Sequence, residues 1–305
     1  MEQKSMTALV SAFSRAYHAR TREVKIYDDT LAAQLLTKEE YAQIGKRMAG
    51  GAQFFFPGFD GGEDAALRRI VDEQLSPSPL GRAAFANNAL RTAVRTGTGQ
   101  YVILGAGYDT FAYRQPEWAK GLAIFELDHP ATAADKQARL AHAGLAVPEN
   151  IHFLQADLTT EGWQAALSGH PAFDQTKLTL CSLLGLTYYL SRESFSALLA
   201  ALSGLLCKGS ALVFDYPDEN NGTEKAGERA KKQALLASGA KEAMLAGYSY
   251  KAMERLLAAH GFLIYEHLTP EEISAQYFAA HNQADPAHAM TAFDNVNYCL
   301  AVRDA

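Results

Sequence analysis

The amino-acid sequence predicts an α/β protein: a doubly wound, Rossmann-like, seven-stranded mixed sheet with a helical N-terminal cap and a lid insertion. Two observations predict this fold. Short β-rich apolar runs alternate with helix-like segments from about residue 86 onward, which is typical of a parallel sheet covered by helices on both faces. The 305 residues are 48% hydrophobic and 20% charged, so the chain can bury a core without disulfides or metal.

The N-terminal region is predicted to contain helices and turns. The apolar spacing predicts helices over Thr7 to Ala19 and over Leu31 to Met48. Residues 53–64, QFFFPGFDGGED, have the Gly, Pro and aromatic composition of a loop. Because no run here has a convincing strand pattern, we expect a helical cap over residues 1–80 and a second domain over residues 81–305.

Seven apolar runs are the strand candidates of this second domain. The last two are separated only by a loop or a short helix, so they are predicted to pair antiparallel at one edge of the sheet. The runs are YVILG (101–105), LAIFELD (122–128), IHFLQADL (151–158), LTLCSLL (178–184), SALVFDY (210–216), FLIYEHL (262–268) and VNYCLAV (296–302).

A long, charged and helix-prone segment over residues 218–249 interrupts the rhythm of strands. We interpret it as an insertion that covers the site, where it would shape an acceptor pocket together with the aromatic loop from Phe54 to Phe59. A pair of solvated surface helices is an equally good interpretation, since charge-rich helices are usually wet faces.

Composition disfavours several other classes of protein. Lys and Arg total 28 against 34 Asp and Glu, and the net charge of -6 disfavours nucleic acid as a partner. The three cysteines are widely spaced, which suggests a reducing cytoplasm. We find no pattern of a secretory signal or a membrane span. The nine histidines lack HExxH spacing and no G-x-S-x-G occurs, so neither a metal site nor hydrolase chemistry is predicted.

The sharpest local feature is VILGAGYDTFAYR (102–114), where the first strand runs into Gly105, Ala106 and Gly107. Glycines there allow a ligand to approach the backbone closely. A dinucleotide fingerprint would have a third glycine at Thr110, and Asp109 would repel a pyrophosphate. An acid suits an ammonium group instead, such as the amino-acid end of S-adenosylmethionine. A tight structural turn remains the alternative.

The second and third strands end in acids. Glu126 and Asp128 lie on one face of the second strand, and Asp128, nearer the tip, is our candidate acceptor for a ribose diol. The alternative for Asp128 is a helix N-cap before Pro130. After the third strand, Asp157 can accept from an adenine amino group while Leu158 packs on the ring, with capping again the alternative.

Two adjacent tyrosines, Tyr188 and Tyr189, follow the fourth strand within LGLTYYL. One hydroxyl could reach a substrate, although adjacent aromatic residues more often divide between core and surface.

The order of these motifs resembles the leucine carboxyl methyltransferase family, and within it the bacterial O-methyltransferases related to polyketide-tailoring enzymes. The resemblance rests on VILGAGYDTFAYR, FELDHPATAADKQARL, ADLTTEGW, LGLTYYLSRE and GSALVFDYPDE, and covers roughly residues 80 to 217. It implies a class I, S-adenosylmethionine-dependent methyltransferase domain over residues 81–305.

The resemblance also implies roles for individual residues. Leu184 departs from many relatives, which carry a glutamate there, and no role is carried onto it. By the resemblance, the methionine carboxylate of the cofactor is bound by Arg82, the cofactor loop contains Gly105 and Gly107, the ribose is bound by Asp128, and the adenine is contacted by Asp157 and Leu158.

We therefore expect methyl transfer from S-adenosylmethionine to a carboxylate or hydroxyl oxygen of a small molecule. A carboxylate needs no general base, whereas His129 or a tyrosine would have to act as the base for an alcohol, and no clear His–Asp pair is present. The alternatives are a protein that binds the cofactor without turnover, which Leu184 would suit, and a nicotinamide-dependent oxidoreductase. A homo-oligomeric state is compatible with the sequence.

Overall fold

The computed structural model describes residues 5–221, 223–239, 245 and 247–304. Its centre is a seven-stranded sheet in the order β3-β2-β1-β4-β5-β7-β6, in which β1 to β5 are parallel and β7 is antiparallel to both β5 and β6. The predicted mixed sheet is confirmed, including the antiparallel pair at one edge. The strands are β1 (Gln100–Leu104), β2 (Ala123–Asp128), β3 (Ile151–Gln155), β4 (Thr179–Leu183), β5 (Ala211–Pro217), β6 (Phe262–Leu268) and β7 (Val296–Arg303).

The helices surround this sheet, and none in the part of the chain that the structure describes is long and apolar enough to span a membrane. They are α1 (Met6–Thr21), α2 (Lys38–Gly50), α3 (Ala52–Phe55), α4 (Glu63–Ile70), α5 (Pro77–Arg95), α6 (Pro130–His142), α7 (Gln164–Ser168), α8 (Arg192–Leu205), α9 (Glu228–Gly239), α10 (Tyr250–Ala259), α11 (Pro270–Ile273) and α12 (Ala279–Ala284).

The strand β1 is buried on both faces, as its apolar sequence predicts. Tyr101 and Ile103 belong to a core layer that includes residues of α5. Val102 and Leu104 belong to the opposite layer, with residues of α8. This alternation follows from the two-residue period of a strand. It fixes the end of β1 between the two layers, where the glycine loop begins.

Part of the N-terminal prediction is wrong in detail. Instead of one helix from Leu31 to Met48, the chain forms a short 3₁₀ turn and then starts α2 at Lys38. Thr37 causes the restart: its hydroxyl accepts from the Glu40 N–H at 3.1 Å, and the Glu40 carboxylate accepts from the Thr37 N–H at 3.0 Å. The predicted loop over 53–64 contains the end of α3 and the start of α4.

Apolar packing connects the N-terminal helices to the sheet. Leu9 and Phe13 of α1 share a core cluster with Tyr108 of the glycine loop and Leu140 of α6. The helix α5 crosses the boundary that we predict between residues 80 and 81. The division into a cap and a methyltransferase domain stays a proposal.

The segment over residues 218–249 contains α9 and returns to the sheet through a bridge between Asp218 and Tyr248. Residues 222, 240–244 and 246 of this segment lie outside the described part. Two side chains of α9 reach the N-terminal helices: Lys232 donates from Nζ to the Phe55 carbonyl at 2.7 Å, and Gln233 donates to the Gln74 carbonyl. These contacts favour our interpretation of α9 as a cover, which stays a proposal.

Candidate active site

A cavity of about 800 Å³, the first cavity, lies at the carboxyl ends of β1, β2 and β4. The strand order reverses direction at β1, and in doubly wound sheets ligands bind at such a point. Leu158 and Tyr188 do not line the first cavity. The residues proposed from the sequence that do line it are Arg82, Gly105, Ala106, Gly107, Asp109, Asp128, His129, Asp157 and Tyr189.

The glycine loop forms because its backbone adopts conformations that other residues rarely reach. Gly105 has φ of 69° and Gly107 has φ of 48°. The N–H groups of Gly105 and Ala106 both donate to the Leu127 carbonyl, at 2.8 and 3.1 Å. A side chain at Gly105 would press on Leu186, with its Cβ 3.2 Å from a methyl carbon. The first cavity therefore meets bare backbone along this loop.

Asp128 holds this loop in place from the end of β2. Its carboxylate accepts from the Gly107 N–H at 2.5 Å and from the His129 N–H at 2.7 Å. Burial raises the pKa of Asp128 above its ordinary value, against the opposing effect of these two hydrogen bonds. The N-cap of α6 is His129, whose Nδ1 accepts from Ala131 at 3.4 Å. Asp128 is thus not the helix cap that the sequence left as an alternative.

Glu126, the other acid of β2, forms an ion pair away from the first cavity. Its carboxylate binds the ammonium group of Lys136 at 2.7 Å, and both side chains are buried. Breaking such a pair would leave a buried charge uncompensated, which is costly. Glu126 therefore serves the packing of α6 on the sheet, and Asp128 is the acid of β2 that faces the first cavity.

Asp157 shapes the turn after β3. Its carboxylate accepts from the N–H of Thr159 at 2.9 Å and from the Thr159 hydroxyl at 2.6 Å. The pKa of Asp157 is lowered, mainly by the hydrogen bond from the hydroxyl. Asp157 caps this turn rather than α7, which starts at Gln164. Leu158 is buried in the core with Leu167, so its predicted contact with an adenine ring stays untested.

Arg82 enters the first cavity from α5 and is held by an acid that our sequence analysis missed. Its guanidinium lies 3.4 Å from the carboxylate of Asp215, a fully buried residue of β5. The other oxygen of Asp215 accepts from the Gly185 N–H at 2.6 Å. A Cβ on Gly185 would lie 2.2 Å from an Arg82 nitrogen, so only glycine lets the guanidinium sit over this turn. The available signal was an acid within the apolar run LVFDY.

A second arginine, Arg15 of α1, also lines the first cavity and was missed. It donates to the Asp29 carboxylate at 2.8 Å and to the Tyr108 carbonyl at 2.8 Å. Asp29 accepts in turn from the hydroxyl of Thr110. These contacts join the N-terminal helices to the glycine loop. The sequence gives no signal for them, because the partners are far apart in the chain.

Asp109 follows the glycine loop and lines the first cavity. One of its carboxylate oxygens accepts from the Phe111 N–H at 2.7 Å, which orders the turn. Asp109, whose charge would repel a pyrophosphate, therefore lies beside the glycine loop, where its carboxylate can bind a cation.

A second cavity of about 110 Å³ adjoins the first, and both are lined by Arg82, Gly185 and Tyr189. Tyr188 lines only the second cavity. Burial and the nearby Asp215 raise the pKa of Tyr188 well above its ordinary value, so its hydroxyl stays protonated at neutral pH. Among the described residues that line the second cavity, there is no Asp, Glu or His.

Comparison with known proteins gives one family. The model of the leucine carboxyl methyltransferase family matches residues 8–203. A Bacillus subtilis (strain 168) protein named YktD, a proposed S-adenosyl-L-methionine-dependent methyltransferase, is 38% identical over 307 residues, covering 99% of this chain and 98% of the relative. A Mycobacterium marinum protein described in the same way is 33% identical over 214 residues, covering 70% of this chain and 66% of the relative.

Two solved structures share the fold. A proposed methyltransferase from Thermobifida fusca YX superposes with a TM-score of 0.58 at 15% identity, covering 94% of this chain and 96% of that chain. A DUF574 family protein from Streptomyces avermitilis MA-4680 superposes with a TM-score of 0.56 at 16% identity, covering 84% of this chain and 96% of that chain.

Proposed function

Because the chain belongs to the leucine carboxyl methyltransferase family and is an S-adenosylmethionine-dependent methyltransferase, we propose that it methylates an oxygen atom of a small molecule. The acceptor oxygen would belong to a carboxylate or an acidic hydroxyl. The observation that carries this proposal is the second cavity, which adjoins the first at Arg82 and whose described lining contains no carboxylate or imidazole.

The residues around the first cavity fit the methionine end of the cofactor. Arg82 would bind the carboxylate, since a guanidinium forms a bidentate, charge-assisted contact with it. Asp215 would orient Arg82 through the ion pair, and Gly185 leaves the space that the guanidinium occupies. Asp109 carries a negative charge, opposite to that of Arg82, and would bind the ammonium group of the cofactor.

The same cavity fits the nucleoside end. Asp128 keeps its carboxylate at the cavity wall while its oxygens hold the glycine loop, and an ionised carboxylate has lone pairs left to accept from both ribose hydroxyls. Asp157 would accept from the adenine amino group, and His129 lines the same cavity. The bare backbone from Gly105 to Gly107 admits the ligand.

When bound, S-adenosylmethionine supplies a methyl group on a positively charged sulfur, which keeps the electron pair of the broken bond as the carbon–oxygen bond forms. The protein would contribute by positioning the acceptor, because in-line transfer needs an approach of about 3–3.5 Å. The helices α1 and α9 would exclude water. Tyr188 can donate a hydrogen bond but is not available as a base at neutral pH, because its raised pKa keeps the phenol protonated. An acceptor that arrives as an anion needs no base.

The proposal is tested with S-adenosylmethionine that carries an isotope-labelled methyl group and a pool of carboxylic acids, phenols, amines and thiols. Nuclear magnetic resonance of the products distinguishes methyl groups on oxygen, nitrogen and sulfur. We expect a methyl ester or an aryl methyl ether. Label found only on nitrogen or sulfur would contradict the proposal.

A further inference from the structure

The two cavities meet at a junction, which consists of the residues that line both of them. A methyl group that passes from a cofactor in the first cavity to an acceptor in the second has to cross this junction. Its polar groups are therefore the ones that can position both reactants. The residues of the junction are Thr7 and Ser11 of α1, Pro79 and Arg82 of α5, and Gly185 and Tyr189 after β4.

The hydroxyl of Ser11 at this junction is oriented as a hydrogen-bond donor. Its buried neighbour Ser14 donates to the Ser11 carbonyl at 2.9 Å, as serines within helices commonly do. Ser11 is only partly buried, and its Oγ instead accepts from Nη1 of Arg15 at 2.9 Å. Because the guanidinium occupies a lone pair of this oxygen, the hydroxyl proton points away from Arg15.

Arg15 is held in place behind this hydroxyl. Its Nε donates to the Asp29 carboxylate at 2.8 Å, and its Nη2 donates to the Tyr108 carbonyl at 2.8 Å. With the contact to Ser11, each of the three guanidinium nitrogens has its own partner, so the group cannot turn without losing one. A hydrogen bond from a cation also polarises the hydroxyl that accepts it, which makes Ser11 a stronger donor.

The charges around Arg15 favour an anion at the junction. One carboxylate, that of Asp29, lies 2.8 Å from Arg15 and 3.4 Å from Arg114, so two cations share it. Asp109, which also interacts with Arg114, lines the first cavity, where the ammonium group of the cofactor would compensate it. With that ammonium group bound, the cluster has one positive charge in excess.

Arg82 cannot supply this charge to a second anion. It is already paired with Asp215 and would bind the methionine carboxylate of the cofactor. The hydroxyl of Ser11, by contrast, has a different cation behind it. An anion that enters the junction beside the methionine carboxylate can therefore bind Ser11, since hydrogen bonds to ionised acceptors are the stronger ones.

We propose that Ser11 binds the methyl acceptor: its hydroxyl donates to the anionic oxygen group of the acceptor at the junction, and Arg15 positions that hydroxyl. An anionic oxygen has enough lone pairs to accept from Ser11 and to attack the methyl group. The carbon–oxygen bond forms as the carbon–sulfur bond breaks, sulfur keeps the electron pair, and no proton has to be removed. This inference rests on the proposed function, since it assumes an anionic oxygen acceptor.

The test compares anionic probes with neutral probes of similar shape in the presence of saturating S-adenosylhomocysteine. The pairs are benzoate with benzamide, and para-nitrophenolate with para-nitroanisole at a pH at which the nitrophenol is ionised. Binding is measured by ligand-observed nuclear magnetic resonance titration. We expect at least one anion to bind about tenfold more tightly than its neutral partner, or 1.4 kcal/mol. If neither anion binds more tightly than its partner, the inference is overturned.

Substitutions on α1 locate the effect. Ser11→Ala removes the donor and should reduce the preference for the anion to less than about threefold, whereas Ser11→Thr keeps a hydroxyl and should retain the preference. The control is Thr21→Ala, which removes a hydroxyl that donates to the Tyr17 carbonyl outside both cavities. A preference that survives in Ser11→Ala overturns the inference. If Ser11→Ala does not fold, Ser11→Cys takes its place, because a thiol is a weak donor.

Arg15 is tested as a positioning residue through its coupling to Ser11. Arg15→Lys keeps the charge, but an ammonium group cannot reproduce the three planar contacts. It should lower the preference for the anion about threefold in the unmodified background and leave it unchanged in Ser11→Ala, where the hydroxyl through which Arg15 acts is absent. Equal losses in both backgrounds would show that Arg15 does not act through Ser11.

Failure here is distinguishable from failure of the proposed function. Titration of S-adenosylhomocysteine into Ser11→Ala precedes the probes, and a tenfold loss of its affinity with an unchanged preference for the anion would place the hydroxyl on the methionine carboxylate and overturn the inference. Label transfer to nitrogen or sulfur alone would contradict the proposed function whatever the probes do. Oxygen methylation with a preference that Ser11→Ala does not change would overturn only the present inference.

Discussion

At the scale of single residues, Asp128 combines two tasks that usually need separate groups. Its carboxylate accepts two backbone N–H groups that order the glycine loop and still faces the first cavity. The pKa of Asp128 is raised by burial, so the group that must be ionised to accept from a ligand sits in surroundings that disfavour the charge. Groups with a pKa perturbed in this way cluster at functional sites.

The first prediction concerns this carboxylate. Asp128→Ala should weaken binding of both S-adenosylhomocysteine and methylthioadenosine, because both carry the ribose. We expect a loss of about 2–4 kcal/mol from two charge-assisted hydrogen bonds, measured by calorimetry. Asp128→Asn keeps one acceptor oxygen and should lose less. Unchanged affinity for methylthioadenosine in Asp128→Ala would remove the ribose assignment.

The second prediction concerns Asp215, which the structure pairs with Arg82 and with the Gly185 N–H. Asp215→Ala should lower the free energy of unfolding by about 3–5 kcal/mol, since it strands a cation and a buried donor. Urea denaturation measures this. Asp215→Asn can still accept from Gly185 and should cost less. A loss below about 1 kcal/mol in Asp215→Ala would show that the ion pair is not what holds Arg82.

At the scale of elements, two helices from distant parts of the sequence bring side chains over the sheet edge. The helix α1 does so through Arg15, and α9 does so through Gln233 on the wall of the second cavity. Neither helix belongs to the seven-stranded sheet. The helix α1 is attached by apolar packing and by the polar contacts of Arg15, whereas the contacts that we describe for α9 are polar. Substitutions that remove these polar contacts should lower activity without unfolding the protein.

The third prediction tests α9. Arg229 donates to the Thr291 carbonyl at 3.0 Å and Lys232 to the Phe55 carbonyl at 2.7 Å. Replacing both by alanine should lower turnover about tenfold, because α9 would no longer keep water from the acceptor, while the affinity for S-adenosylhomocysteine stays within about threefold. The exposed Lys231→Ala on the same helix is the control. Full turnover in the double variant would show that α9 is a solvated surface helix and does not cover the site.

The fourth prediction concerns the attachment of α1. His18 is buried, and its Nε2 accepts from the Ile26 N–H at 3.0 Å, which requires the neutral ring. Burial, with smaller effects from His281, Arg22 and Lys25, lowers the pKa of His18 from 6.5 to about 3. The unfolded chain therefore binds a proton in this range that the folded chain does not, and stability is lost as pH falls below 6.5.

Between pH 7 and pH 5, His18 should account for about 2 kcal/mol of the loss in unfolding free energy. His18→Gln can still accept from Ile26 but cannot titrate, so it should lose about that much less over the same interval. Urea denaturation at the two pH values gives the difference. Equal losses in the two proteins would mean that other groups govern the acid sensitivity.

At the scale of the whole molecule, the sequence was most informative where structure is local. The apolar runs predict all seven strands, and the local signal is strongest for the parallel strands β1, β4 and β5, which are buried on both faces. The restart of α2 at Thr37 was missed, since a capping box competes with a continuous apolar stripe. The sequence assigns the glycine loop, Asp128 at the end of β2 and Asp157 after β3 to one cofactor, and all of them line one cavity.

The parts that escaped prediction are contacts between distant segments. Asp215 lies 133 residues from Arg82, and Arg15 lies 93 residues from Tyr108. No local sequence pattern encodes such pairs, because they form only when the helices pack against the sheet. The second cavity has the same origin, since residues as distant in the sequence as Gln74 and Asn295 line it.

The proposed cofactor site requires that the first cavity binds S-adenosylmethionine with Arg82 at the methionine end. The most direct measurement is calorimetry of Arg82→Ala with S-adenosylhomocysteine and with methylthioadenosine, which lacks the amino-acid carboxylate. Arg91→Ala, at an exposed position on the same helix, is the control. We predict that Arg82→Ala lowers affinity for S-adenosylhomocysteine by about thirtyfold, or 2 kcal/mol, while affinity for methylthioadenosine stays within about threefold. Equal losses for both ligands, or no loss for either, would contradict the placement of Arg82 at the methionine carboxylate.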